Sequence, residues 1–326
     1  MKRLSTFFLL LFFAIGIMAQ GINFTIVDGI QNQTVKSRME RGISKLLTEI
    51  NQACAQERAL RLDGIDMVSS GKHSLQALWQ NLHFLVEDNT IVERCLTSAE
   101  GYVIRNIYTQ VNPMIEGYND EPERALTIRL TREGQIASVA MAASDAVYGR
   151  IMEKGLSVTD VERRTTILSF VENYRSFYDE KDLNSIDRVF SDDAIIITGI
   201  VPQIRKSSSD ISMTNNKIDY KIQNKPQYLS SLAANFKRNK YIKVTFSDVK
   251  VARHPANPNY YGVTLHQHWK SSTYEDDGYL LLVWEFQDGK DPIIHYRTWQ
   301  PDRIGGNAIS EDDIINIMDF TIPTLD

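Results

Sequence analysis

Residues 259–300 contain Asn259-Tyr-Tyr-Gly-Val-Thr-Leu-His-Gln-His-Trp-Lys-Ser271, Gly278-Tyr-Leu-Leu-Leu-Val-Trp-Glu-Phe-Gln287 and Pro292-Ile-Ile-His-Tyr-Arg-Thr-Trp-Gln300. Each run alternates with a period of two, the signature of a strand with one buried face. In the first, Tyr261, Val263, Leu265, Gln267 and Trp269 share a face, and Gly262, Thr264, His266, His268 and Lys270 share the other. In the second, Leu280, Leu282, Trp284 and Phe286 fall together. Burying one large apolar side chain is worth ~1.5–3 kcal/mol, so these aromatic faces should turn inward. With 241–253, the runs make a four-stranded antiparallel meander whose turns read as Glu275-Asp-Asp-Gly278 and Asp288-Gly289. On the last strand, parity puts His295, Arg297 and Trp299 on one face and Ile294, Tyr296 and Thr298 on the other.

Moving towards the N-terminus, the period changes to that of a helix. Thr159-Asp-Val-Glu162 reads as a capping box, followed by Ile167, Phe170, Val171, Tyr174, Phe177 and Tyr178 on one stripe. Asp182 caps a shorter helix carrying Leu183, Ile186 and Val189. An apolar strand spans 194–200, and 203–216 reads as a polar loop rich in serine and asparagine. Pro226 opens a further helix with Tyr228, Leu229, Leu232, Ala233 and Phe236. The first half shows a similar plan. A lead-in at 20–36 precedes a helix over 37–56, with Met39, Ile43, Leu46, Leu47 and Ile50 on one face. Leu60, Leu62 and Ile65 suggest a strand, and Leu75, Leu78, Trp79 and Leu82 a short helix. Strands follow at 91–97, 101–109, 125–131 and 135–141, the last two joined by Arg132-Glu133-Gly134. Patterning breaks over 146–158. The fold class expected is α+β in two domains, 37–146 and 159–302, then a tail at 303–326 with one short helix.

Residues 1–19 read as a signal peptide: Lys2 and Arg3, an apolar run from Phe7 to Ile17, and Ala19 at a cleavage point. That run is shorter than the ~20 residues a spanning helix needs. No transmembrane anchor is expected, and the chain should be exported to the periplasm or beyond. A hydrophobic content of 43% with 24% charged residues is that of a globular protein. The net charge of −5 argues against a dedicated nucleic-acid binder, which needs a basic surface. Cys54 and Cys95 permit a disulfide in an exported protein, or two small buried hydrophobes.

The stretch Tyr174-Arg-Ser-Phe-Tyr-Asp-Glu-Lys-Asp182, continuing Leu183-Asn-Ser-Ile-Asp-Arg-Val-Phe-Ser-Asp-Asp193 into a strand, together with the closing meander, resembles the nuclear-transport-factor-2-like superfamily. This superfamily includes polyketide-cyclase-like (SnoaL-like) and ketosteroid-isomerase-like proteins. The resemblance covers about 160–301, and 37–145 is a candidate trimmed relative. It implies a curved antiparallel sheet wrapped as a cone around helices, with an apolar pocket at the open end. Members include enzymes as well as carrier and dimerisation modules, so the fold alone does not choose a function. Isomerase-like members place an acid and a tyrosine or second acid in the pocket, and no such pair maps onto this sequence. Asp192 and Asp193 occupy a helix-to-strand turn, where acids commonly serve solvation and capping. Asp193 and His295 are the catalytic candidates.

Tyr174, Tyr178, Tyr228, Trp269, Trp284 and Trp299 are core residues on the plainer reading and pocket walls on the sharper one. Arg297 beside Trp299 suits an anionic or aromatic ligand if that face lines the cone. His266 and His268 share a strand face, as metal ligands can. Their third ligand, His295, lies two strands away, ~9–10 Å, so the pair reads as an exposed or dimer surface. No cofactor is expected. Gly-rich phosphate loops and HExxH, GxSxG and CxxC motifs are absent from the sequence. The expected function is therefore an exported, non-enzymatic binding or scaffold protein for a small apolar or anionic ligand, or for a protein partner such as a second copy or an envelope component. The alternative is an isomerase, dehydratase or cyclase.

Overall fold

A computed structural model describes residues 21–98, 101–114, 123–155, 157–200, 218–288 and 290–322. The leader at 1–19 and the polar stretch 203–216 lie outside them. The first part of the chain forms β1 (Asn23–Asp28), α1 (Gln33–Ala55), α2 (Ser69–Asn81), β2 (Leu82–Val86), β3 (Thr90–Thr97), β4 (Gly101–Pro113), β5 (Glu123–Thr131) and β6 (Ile136–Met141). Next come α3 (Asp145–Met152), α4 (Val158–Asp179), α5 (Leu183–Val189), β7 (Phe190–Ile200), β8 (Asp219–Asn224) and α6 (Lys225–Arg238). The chain closes with β9 (Ile242–Arg253), β10 (Tyr260–Ser271), β11 (Glu275–Glu285) and β12 (Ile293–Pro301), then a small hairpin, β13 (Arg303–Ile304) and β14 (Asn307–Ala308). The class is α+β. One six-stranded sheet runs β1–β3–β4–β5–β6 with β2 on β4, and the other runs β8–β7–β12–β11–β10–β9.

The second sheet contains the meander read from residues 241–300. Tyr261, Val263, Leu265, Leu280, Leu282 and Trp284 lie on its inner face and pack with Ile167, Phe170, Val171, Tyr174 and Tyr178 of α4. The closing strand β12 does not end the sheet. It pairs parallel with β7, Ile196 opposite Arg297, and so lies between β7 and β11. Asp182 caps α5 as expected, its carboxylate accepting from the Ser185 amide at 3.0 Å. Asn224 and Gln227 cap α6 reciprocally, with Pro226 in its first turn. The cap of α4 differs from the Thr159 box. Ser157 Oγ accepts from the Asp160 amide at 3.1 Å, which starts the helix earlier and leaves Thr159 inside its first turn.

Several other local readings are corrected. The lead-in 20–36 contains β1, parallel to β3, with Phe24 and Ile26 buried by their alternation. Leu60, Leu62 and Ile65 are buried without forming a strand; Met67 alone makes a bridge, to Ile136. The interrupted patterning at 146–158 includes the start of α4 and most of α3, capped by Ser144. Glu275–Gly278 belongs to β11, and the reversal lies at 271–274, where Ser271 donates its amide to the Tyr274 carbonyl. Cys54 and Cys95 are both free, and burial pushes the Cys95 thiol up to about 11. Among the described residues no helix is long and apolar enough to cross a membrane.

The tail forms two 3-10 turns, Glu311–Asp313 and Ile317–Asp319, in place of one helix. Ile317 and Ile322 pack on Tyr260, Leu281 and Val283 across the outer face of the second sheet. This explains why Leu280-Leu-Leu-Val-Trp284 is buried at both parities. A β-carbon on Gly262 would lie 2.6 Å from Ile317 Cβ, so glycine permits the close approach. The patch of sheet read as a dimer surface is thus partly occupied by the chain's own tail.

The first sheet meets α4 through a buried charge cluster. Glu172, with a fully buried side chain, accepts from Arg105 of β4 at 2.5 Å and from Arg129 of β5 at 2.7 Å. It also accepts from the Ala143 amide at 2.9 Å.

Candidate small-molecule cavity

At one end of the second sheet, α4, α6 and strands β7, β10, β11 and β12 line an open-mouthed cavity of about 810 Å³. That lies within the ~300–1,000 Å³ range of small-ligand sites. Its helical wall is Tyr178, Tyr228, Leu232 and Asn235, and its sheet wall includes Gln267, Trp269, Asp276, Arg297 and Trp299. Trp299 lies across the missing side chain of Gly278, where a β-carbon would meet the indole ring at 2.7 Å.

Arg297 is the centre of the polar set. It is 7% exposed, and its Nε donates to Tyr174 Oη at 3.2 Å. Its guanidinium lies 5.2 Å from the Tyr228 ring centroid, a cation–π distance. Behind it the hydroxyls of Tyr174 and Tyr178 are 2.7 Å apart, and those of Tyr178 and Tyr228 are 2.5 Å apart. Burial raises the pKa of Tyr178 and Tyr228, so both remain protonated hydrogen-bond donors. The cation is thus met by a phenol oxygen and a ring face. Such a buried charge favours an anion or a strong acceptor at its open side. Trp299 Nε1 is also buried and without an acceptor among the described residues.

Asp276 supplies the acid. Burial pushes its carboxyl up to about 6; repulsion from Asp277 adds to this, while Tyr274, Arg297 and His268 oppose it. Tyr274 Oη donates to Asp276 Oδ2 at 2.8 Å. A carboxyl near neutrality beside phenols and a cation can accept or return a proton under physiological conditions.

The structure thus brings together Tyr178, Tyr228, Trp269, Arg297 and Trp299, with Tyr174 acting from behind through its hydroxyl. Trp284 is buried on the inner face but lines a different cavity, beside Phe170. His295 and Asp193 line neither of these cavities. The reason is a β-bulge: Val283 pairs with Tyr296 but Trp284 with Ile294, so His295 is the extra residue. A bulge reverses parity beyond it, so Ile294 turns inward and His295 bonds Glu285 at 2.7 Å. Asp193 lies 3.7 Å from His295 and is largely exposed. His268 pairs with Asp277 and Glu275, and His266 approaches Ser247 and Asp302. Among the described residues no three His, Cys, Asp or Glu side chains cluster with metal-binding geometry. The residues missed were Asp276, read as part of the turn 275–278, and Tyr274, which the sequence reading did not single out. Asp276 shares its parity with Gly278, Leu280 and Leu282, and that signal could have placed it inward.

No protein-family profile and no curated protein matches the chain. Solved structures resemble it partially. Bd1075 of Bdellovibrio bacteriovorus gives a TM-score of 0.33 at 15% identity, over 63% of this chain and 78% of that one. An NTF2-like protein from Cytophaga hutchinsonii gives 0.31 at 14%, over 43% and 98%. ActVI-ORFA from Streptomyces coelicolor gives 0.31 at 10%, over 42% and 96%. Further neighbours are assigned as a scytalone dehydratase of Novosphingobium aromaticivorans and a ketosteroid isomerase of Shewanella frigidimarina.

Proposed function

We propose that this protein binds a small, mainly aromatic or apolar molecule bearing one anionic or strongly accepting group in the cavity of Arg297 and Trp299. The observation that carries the reading is the buried Arg297 guanidinium, held by Tyr174 and the Tyr228 ring, on the wall of an 810 Å³ cavity. The leader at 1–19 supports a site of action outside the cytoplasm, and the patterning supports two units, 37–146 and 159–302. Two probes test the binding: the aromatic anion 1-anilinonaphthalene-8-sulfonate and its uncharged relative N-phenyl-1-naphthylamine, titrated by fluorescence. The anion is expected to saturate a single site and to bind about tenfold or more weakly to Arg297→Met, since a charge-assisted contact is worth ~1.5–3 kcal/mol. The neutral probe should change little. Equal anion affinity in both proteins would falsify this reading.

The Asp276 carboxyl favours a second reading, acid–base chemistry of the isomerase, dehydratase or cyclase type. Above about pH 6 its carboxylate would take a proton from carbon next to a carbonyl, with a tyrosine hydroxyl or Arg297 stabilising the enolate oxygen. Exchange of the α-protons of 2-tetralone with D2O, followed by NMR, is expected to accelerate from pH 5 to 7. In Asp276→Asn it should fall by about 10²-fold or more. A rate no faster than buffer would leave binding without chemistry.

A further inference from the structure

Arg297 is not alone among the buried polar side chains of its cavity. Gln267 of β10 lines the same space, is 4% exposed, and its side-chain amide makes no hydrogen bond among the described residues. The alternation that packs Leu265 and Trp269 into the core turns Gln267 inward with them. The indole nitrogen of Trp299 is sealed by protein atoms, but the Gln267 amide and the two terminal nitrogens of Arg297 are not. A buried amide without a partner costs free energy, and a hydrogen-bonding group on a ligand would recover it.

Strand register sets these two polar groups apart. Gln267 lies opposite Gly278, whose other neighbour is Pro301, whereas Arg297 lies opposite Leu282. Four residues of β11, ~13 Å of strand, separate the two rows, and two strand spacings add ~10 Å sideways. Allowing for the reach of both side chains, their polar heads stand on the order of 10 Å apart. Trp299, opposite Leu280, occupies the row between them and supplies an apolar wall. The Gln267 end is the mouth, where Tyr274 and Ile200 are exposed and Asp276 and Asp277 stand nearby. A second anionic group would meet those carboxylates there. A neutral hydroxyl, which both donates and accepts, matches the amide. At the inner end Nε of Arg297 is taken by Tyr174, which leaves the two terminal nitrogens as a parallel fork suited to a planar carboxylate. We infer that the cavity takes an elongated hydroxylated carboxylic acid, its carboxylate on Arg297 and its distal hydroxyl on Gln267. This rests on the Arg297 reading above and adds the far end of the molecule, with Gln267 as the residue that selects it.

The probes are 4-hydroxycinnamate and cinnamate, which differ only in the distal hydroxyl, titrated into the full chain by calorimetry. The hydroxylated acid is expected to bind about three- to tenfold more tightly, the yield of one neutral hydrogen bond. In Gln267→Met, which keeps the length of the side chain but neither donor nor acceptor, that ratio should fall to about one. Gln267→Leu serves the same measurement should the first variant fold poorly. Arg297→Met should weaken both acids and leave the ratio as it is. Equal binding of the two acids by the native protein, or a preference that both Gln267 variants retain, would overturn the inference while the Arg297 reading stands. Binding of neither acid, with the naphthalenesulfonate still bound through Arg297, would do the same. Acid affinities that Arg297→Met leaves intact would overturn both.

Discussion

Glu172→Ala is expected to lower the stability of the fold by about 3–5 kcal/mol, read as a shift in the urea midpoint. Glu172 sits between Arg105 and Arg129, and all three side chains are at least nine-tenths buried. Removing the shared carboxylate strands two cations in a site with little water. Breaking a buried ion pair from one side costs about 3–5 kcal/mol, much of it the penalty of the charges left behind. The same physics predicts partial recovery. Replacing all three residues together, with Met at 105 and 129 and Leu at 172, should restore much of the loss because no charge remains to be desolvated. The exposed Lys250–Glu311 pair supplies the contrast: Glu311→Ala should leave the midpoint unchanged, since exposed pairs contribute little. A Glu172→Ala midpoint within error of the native one would show that the three charges are not buried together.

Glu180 should make stability fall as pH rises. It stands at the C-cap of α4, where its Oε2 accepts from Ser74 Oγ and its Oε1 is buried without a partner among the described residues. Burial pushes the carboxyl up to about 8; Asp179 and Asp182 add repulsion, and Ser74 opposes them. The unfolded chain titrates near the ordinary 4.5. Between these two values the folded state holds a proton that the unfolded state has released. Stability from this group is therefore greatest below about 4.5, declines through the interval and levels off above about 8. The loss is on the order of a few kcal/mol, at roughly 1.4 kcal/mol per pH unit of difference. Glu180→Gln, which stays neutral, should flatten the profile of melting temperature between pH 5 and 9. A variant with the native slope would locate the dependence elsewhere. Asp276 contributes in the same direction but lower down, between about 4 and 6.

The parts that were legible in the sequence are those set by local period. Strands β9 to β12 were read from alternation, and α4 from its stripe at Ile167, Phe170, Tyr174 and Tyr178, because both signals repeat within a few residues. Arg297 and Trp299 were placed on one face correctly, two residues apart on unbroken strand. His295, two residues earlier, was grouped with them wrongly, because a bulge depends on the partner strand and one sequence does not display it. Asp276 was missed because Glu275-Asp-Asp-Gly278 has the composition of a turn, and composition outweighed parity. The Glu172 cluster was beyond reach: its arginines lie 67 and 43 residues away in sequence, and nothing local marks them as partners. The unbroken apolar run Leu280–Trp284 departs from strict alternation, but the reading of one buried face passed over that signal, and the last described turns cover the outer face.

The position of β12 has a consequence for how this chain is made. Among the described residues it is the last long strand in chain order, yet it joins β7 on one side to β11 on the other. Until residue 301 has been added, β8–β7 and β11–β10–β9 are two fragments with open seams, and closing them requires a contact between residues about a hundred positions apart. Contacts of such long range slow folding. A chain cut before residue 293 would therefore be a sheet without its keystone, in place of a slightly shortened protein.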